Sequence, residues 1–414
     1  MALAQSALGT GAAYVALLLV ALDRFDSPWA IGLVLLADVV PSMFLGPLFG
    51  AAADRWSRRA CAVVADVLRA GAFAGLVLVD GFGLTVALAL IAGLGTGLFK
   101  PATLAALPSL VAKERIPAAT SLYGALEDLG FIGGPAIAAA ALLVGGPETI
   151  LGVNAVTYAI SACILAPLPF GRRPTRSDET VKRPSLLREA RDGLVATAGI
   201  RGLRVLLVAT GGALLAGAIF NVGQPLLARV VLDAGDAGFA VLVTCYGLGF
   251  IAGSLAGAKG GQLHALKRRY LLGAFLMSVG FAATGVAPTI AAAVVTSLAA
   301  GFGNGLLLVY ERLLILGVVP DAIGGRVFGI RDAITAWAFA TGFLVGPLLL
   351  DLLGTRTMIT AAGVGGIVVW LVATVGLRAL WIRRDWDPAL TGGPGADVGT
   401  RGSAGEHGPN LVRG

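Results

Sequence analysis

Charge is scarce in this chain. Asp, Glu, Lys and Arg together supply 13% of the residues, about half the share of a soluble domain. A soluble fold of this length needs more polar surface than that. Histidine occurs only at His264 and His407, too few and too far apart to hold a metal. The three cysteines, Cys61, Cys163 and Cys245, lie in or beside separate apolar segments without metal or redox spacing. They read as small packing residues. No Gly-x-x-x-x-Gly-Lys-Ser/Thr segment is present, which argues against ATP-driven chemistry. The Gly-x-Gly patterns at 93–97 and 301–305 lack the strand–loop–helix setting of a nucleotide site. No Ser/His/Asp, paired-His or metal set converges, so the expectation is no enzyme and no cofactor. Glycine is plentiful, 60 residues, but shows no Gly-X-Y period, which excludes collagen. Low charge with high apolar content excludes a disordered chain.

What is present is apolar: 57% of the 414 residues, with a mean hydropathy of +0.86. This composition describes a polytopic membrane protein. The net charge is +7 and the pI about 9.7. The basic residues sit in short clusters between apolar runs, so topology and lipid headgroups explain them and nucleic acid is not an expected partner. The N-terminal run has no basic residue before Arg24 and reads as a first membrane helix, not a cleaved signal.

A span needs about 20 apolar residues. Candidates fall at about 3–22, 29–53, 60–80, 83–111, 118–144 and 148–169, then at 204–230, 237–258, 269–287, 289–318, 327–351 and 357–382. The fold class expected is therefore all-α, with twelve transmembrane helices in two six-helix bundles. The bundles are assigned to 1–170 and 203–384. Between them lies a polar linker, 171–202, whose stretch 185–200 has the pattern of an interfacial amphipathic helix. Residues 385–414, rich in Gly, Pro and Ala with mixed charges, read as a disordered tail. Loops after even-numbered spans hold basic clusters such as Arg55, Arg58 and Arg59, or Lys267, Arg268 and Arg269. Loops after odd-numbered spans hold only Arg24, Arg229 and Arg356, among acids. The bias predicts that the linker and both termini are cytoplasmic, in a cell inner membrane.

The two halves echo each other. GLGTGLF at Gly93–Phe99 resembles GFGNGLL at Gly301–Leu307, and GFIGGP ending at Pro135 resembles GFLVGP ending at Pro347. GPLFG at Gly46–Gly50 resembles GSLAG at Gly253–Gly257. The offsets are 208, 212 and 207 residues. Two parallel six-helix repeats around a pseudo-two-fold axis along the membrane normal are an architecture of transporters that rock about a central site.

The most specific stretch runs from Gly46 to Arg59 and contains Gly50, Asp54, Arg55, Arg58 and Arg59. Gly, three residues, Asp-Arg, two residues, Arg-Arg resembles motif A of the major facilitator superfamily, with Ser57 where the family often has Gly. A small residue at Gly50 permits close helix approach, and Asp54 can accept from a helix N-terminus or an Arg. The resemblance implies a gate that helps lock the outward-facing state. Gly130, Gly134 and Pro135 resemble motif C, the antiporter motif of drug exporters, with Ala138 and Ala139 in place of its last two glycines. The motif B arginine of proton-coupled members is absent, and Ala89 stands near its place. Taken with LPSLV at Leu107–Val111 and GGRVFG at Gly324–Gly329, the whole pattern resembles the bacterial branch of macrolide-type drug and siderophore exporters.

Ionisable residues at membrane depth are functional candidates because burying them is costly. Asp38 sits roughly 12 Å from one end of its span at 1.5 Å per residue. Lys100, Glu127 with Asp128, and Glu311 with Arg312 lie in three other spans. The expectation is that Asp38, Lys100, Glu127 and Glu311 serve substrate or proton coupling in a central cavity, exchanging partners as the halves rock. Asp66 and Arg69 are neighbours on one helix face and read as a structural pair. Asn221, Gln224, Tyr246, Asn304, Tyr310 and Trp337 are possible cavity linings. The activity implied is efflux of a small amphipathic molecule by a monomer, in contact with membrane lipids and coupled to protons. Uptake through the same fold and a non-transporting scaffold are the alternatives.

Overall fold

A computed structural model describes residues 2–25, 27–45, 48–49, 56–112, 115–142, 144–168, 199–257, 262–319 and 321–379. The linker stretch 171–198 and the tail 385–414 lie outside them. Among the described residues twelve long α-helices follow one another. The first six are α1 (Ala2–Phe25), α2 (Pro28–Phe44), α3 (Arg58–Leu78), α4 (Phe82–Leu110), α5 (Ile116–Ala141) and α6 (Pro147–Leu165). The last six are α7 (Arg201–Leu226), α8 (Gly235–Gly257), α9 (Leu263–Gly285), α10 (Ile290–Val318), α11 (Asp321–Leu353) and α12 (Thr355–Ala379). A π-turn, Leu227–Val231, prolongs α7. Nine of these helices are long and apolar enough to cross a membrane, and α2 contains a shorter apolar stretch, Trp29–Phe44.

Local chemistry sets the helix ends. Ser57, a departure from the motif A pattern, is the N-cap of α3, and its hydroxyl accepts from the Ala60 amide at 3.2 Å. Thr289 caps α10 in the same way, accepting from Ala292 at 3.3 Å. Such caps satisfy an amide that the helix leaves unpaired. Gly354 alone joins α11 to α12, at φ +75°, a conformation open to glycine without a Cβ penalty. One element is shorter than its apolar run: α2 ends at Phe44, not near 53. Pro41 lies one turn before that end and cannot donate to the helix.

The repeat is structural as well as sequential. α1 lies on α5 and α6, α3 on α4 and α6, and α2 on α4; α7 lies on α11 and α12, α9 on α10 and α12, and α8 on α10. Glycines let the backbones approach closely at several of these contacts. A Cβ on Gly93 would meet the carbonyl oxygens of Asp38 and Ala37 in α2, and one on Gly95 the carbonyl of Ala65 in α3. On α10, Gly301 stands equally close to the Tyr246 carbonyl of α8, and Gly303 to Gly273 and Met277 of α9. Each is 208 residues beyond its counterpart. A second row obeys the other offset. Gly130 and Gly134 of α5 lie on Ala7 and Gly11 of α1, and Gly342 and Gly346 of α11 on Ala218 and Val222 of α7. Without a water-driven hydrophobic effect between helices, such close backbone approach is a main source of cohesion.

The halves meet where α2 contacts α11 and α5 contacts α8. Exchanging the repeats turns one contact into the other. Call the face where α6 ends at Leu165 and α7 begins at Arg201 the linker side, and its opposite the far side. One buried core spans both halves toward the far side, from Ala12–Ala21, Ile31–Ala37 and Leu76 to Val222, Phe239 and Phe343. Toward the linker side the cores part. Cys61, Ala65, Phe99 and Leu165 form a cluster confined to the first six helices. A second large cluster is confined to the last six. Among the described residues no buried cluster joins the halves on the linker side.

Candidate functional site

The junction of the halves holds a polar neighbourhood at mid-membrane. Asp38 is half-buried on α2. Tyr14 of α1 lies within electrostatic reach of both Asp38 and Tyr246 of α8, so a carboxylate from one half and a phenol from the other share one region. Asn304 of α10 donates to the Tyr246 hydroxyl at 2.9 Å. The Tyr246 ring faces Phe281 at 6.2 Å, and Phe281 stacks on Phe220 at 4.3 Å. Gln224, one turn beyond Phe220, is buried, and its Nε2 has no partner among the described residues; nor does Asn304 Oδ1. Orphaned buried amide atoms are costly; Asn304 stands against Tyr246. Aromatic faces with unspent amide groups suit an amphipathic organic guest.

Two buried ion pairs flank this region, one per half. Arg69 of α3 bonds Asp66 one turn earlier. Its guanidinium lies between the rings of Phe99 and Tyr158, 4.2 Å from each. Tyr158 is held in turn by Thr10 at 2.7 Å. Arg69 also lies within electrostatic reach of Asp38. In the other half Glu311 of α10 is fully buried. Arg331 of α11 donates to its Oε2 at 3.0 and 3.2 Å. Arg331 also reaches Asp332 at 3.0 Å.

The far side is closed by contacts between the halves. Arg229 bonds Asp23 across the halves at 2.5 Å and forms an ion pair with Asp236 of its own half at 2.8 Å. Trp29 donates to Asp351 at 3.1 Å, and a Cβ on Gly32 would meet Pro347 and the Phe343 carbonyl. A further contact between the halves, Phe44 against Trp337, edge to face at 5.0 Å, lies at the linker-side end of α2, six residues beyond Asp38. The three basic residues on the acidic far side all have local duties. Arg229 bridges the halves, Arg24 donates to the Leu76 carbonyl at the end of α3, and Arg356 donates to those of Gly285 and Ala287 after α9. Arg24 and Arg356 therefore satisfy repeat-related helix ends.

The structure sorts the sequence candidates. Gly50, Asp54 and Arg55 lie outside the described residues, as do the side chains of Glu127 and Asp128. Arg58 donates to the Ala105 carbonyl of α4 at 2.7 Å, tying the start of α3 to α4, and Arg59 is exposed. Gly130 and Gly134 mediate the α1–α5 contact, with Pro135 buried beside them. Asp38 and Glu311 do not share a cluster: Asp38 neighbours Tyr14 and Arg69, whereas Glu311 is held by Arg331. Lys100 is exposed on α4. Of the possible linings, Tyr246 and Asn304 meet, Tyr310 is buried in the core of the last six helices, and Trp337 is 64% exposed. Sequence reasoning overlooked Tyr14 and Arg331. A lone arginine five residues inside an apolar run was the available signal for Arg331.

A profile of the Major Facilitator Superfamily matches residues 1–226. The chain belongs to that superfamily. It is a multi-pass membrane transporter and not an enzyme. Its fold is that of solved superfamily transporters. A bacterial homologue of the human lysosomal transporter Spinster, in an inward-facing and unoccupied conformation, superposes with a TM-score of 0.71 at 13% identity, over 94% of this chain and 98% of that one. The xylose transporter XylE from E. coli, in an inward open conformation, gives 0.67 at 14%, over 92% and 98%. Similar sequences include the multidrug efflux pump Tap of Mycobacterium tuberculosis, 26% identical over 89% of this chain and 90% of that one. The macrolide efflux protein A of Streptococcus pyogenes is 22% identical over 82% and 85%. An uncharacterized MFS-type transporter of Bacillus subtilis, YfiS, is 25% identical over 89% of each chain.

Proposed function

We propose that this superfamily member exports a small amphipathic organic molecule across the cytoplasmic membrane by alternating access, as a monomer driven by the proton gradient. The observation that carries the reading is the asymmetry of the core, shared by both halves toward the far side and divided toward the linker side. A rocking transporter requires such a closure on one side at a time. On this reading the linker side is cytoplasmic and the site is open to the cell interior. Efflux as the direction draws support from the names of Tap and macrolide efflux protein A.

The parts then have distinct duties. Tyr14, Tyr246, Asn304 and Gln224 receive the molecule, and Asp38 accepts the proton or a cationic group. Gly130, Gly134 and Pro135 bind α5 to α1 so that they move together. Gly50, Asp54, Arg55, Arg58 and Arg59 lock the linker side when it closes. Lys100 and Glu127 are further coupling candidates. Glu311, already engaged by Arg331, changes partner only if α10 and α11 separate.

The test is accumulation of a panel of lipophilic compounds in cells with and without the protein. Lower accumulation of at least one compound is expected, and Asp54→Asn and Asp38→Asn should each abolish the difference while leaving membrane expression intact. Raised accumulation would indicate uptake, and no difference for any compound, in cells or reconstituted vesicles, a scaffold. Transport that persists unchanged after collapse of the proton gradient would refute proton coupling.

A further inference from the structure

α7 and α12 run antiparallel on the outer surface of the last six helices. Their register is set by two contacts: a Cβ on Gly212 would meet Val369, and one on Gly376 would meet Val205. Between them lies a groove of about 550 Å³. Its walls are apolar, with Val208 and Gly212 on α7 facing Val368 and Val372 on α12. Val208 is 69% and Val372 65% exposed, so the groove opens outward, toward lipid. One charged residue lines it, Arg204. Arg204 is exposed and its guanidinium makes no hydrogen bond or ion pair with a described residue. It stands on the first turn of α7, at the linker-side end. From Arg204 to Gly212 the groove extends about 12 Å along the helix.

A cation beside hydrocarbon is costly unless its head reaches the interface or an anion. The arginine is the residue type that binds a phosphate by two donors at once. We propose that this groove is a binding site for one anionic phospholipid of the linker-side leaflet, its phosphate on Arg204 and one acyl chain along the valine-lined walls. The occupant is matched at both ends: charge against Arg204, and an unbranched chain against a narrow apolar trough. The site is independent of the transported molecule and of the direction of transport.

A basic residue near an anionic membrane surface gives about a fivefold preference for anionic lipid. The purified full-length protein, exchanged into detergent with equal amounts of phosphatidylglycerol and phosphatidylcholine, is examined by native mass spectrometry. The expected result is one retained phospholipid, with phosphatidylglycerol favoured about fivefold. Arg204→Gln should bring that ratio close to one, and Arg204→Lys should restore most of it. Val208→Trp, which fills the groove from its exposed rim, should lower retention of both lipids. Both positions are exposed, and an unchanged gel-filtration profile verifies the fold. No preference in the unaltered protein, a preference that survives Arg204→Gln, or retention unaffected by Val208→Trp would each overturn the proposal.

Discussion

The two buried ion pairs solve the same problem in opposite ways. In the first half the pair is internal to one helix, Asp66 and Arg69 on α3, and the arginine is held between Phe99 and Tyr158. Movement of neighbouring helices leaves such a pair intact. In the second half Glu311 and Arg331 belong to different helices, so the pair is a joint between α10 and α11. Those two helices otherwise have little contact; α10 lies mainly on α8 and α9, and α11 on α7 and α2. One half thus stores a fixed charge near Asp38, whereas the other uses charge to hold α11, the helix that meets α2 across the junction.

The largest effects should come from leaving one buried charge alone. Arg331→Ala strands Glu311 and should cost about 3–5 kcal/mol, read as loss of thermal stability in detergent; adding Glu311→Gln should recover much of it. Charge reversal separates the two designs more sharply. Glu311→Arg with Arg331→Glu should retain part of the coupling, because a joint between helices keeps both ends. Asp66→Arg with Arg69→Glu should not, because the aromatic sandwich would then hold a carboxylate. A reversal in the first half that folds as well as the original would dissolve the contrast. Next in size is Tyr158→Leu, which removes one ring face from Arg69 and the bond to Thr10; a loss of about 1–2 kcal/mol is expected. The smallest effect belongs to Asp332→Asn. Asp332 is 70% exposed, so stability should change by less than about 0.5 kcal/mol, and a larger change would make it a third member of the joint.

Much of the architecture was legible in the chain because it rests on repetition. The paired offsets of 208 and 212 residues anticipated the glycine contacts of α4 and α10, and of α5 and α11, since a glycine row has meaning only where another backbone comes close. Asp66 with Arg69 was legible for a similar reason, one turn of helix fixing their proximity. The partner of Glu311 was not. Arg331 lies 20 residues on, in another helix, and nothing in the local pattern around a lone arginine names its partner. Tyr14 stayed hidden because its neighbours come from α2 and α8, and nothing local in α1 marks which face meets the other half. The three far-side arginines fit poorly with a rule of basic residues on one side. The exception has a physical cause in the carbonyls and carboxylates they bind.

Gly354 joins α11 to α12 with no slack, and that has a mechanical consequence. From Phe343, where α11 bears on Gly32, to its first residue Asp321, the helix extends about 33 Å at its 1.5 Å rise. With that contact as fulcrum, a tilt of about 15° swings the linker-side end through roughly 9 Å. A single-residue hinge lets α12 follow as a second arm, so a small rotation at one rim becomes a molecule-sized aperture at the other.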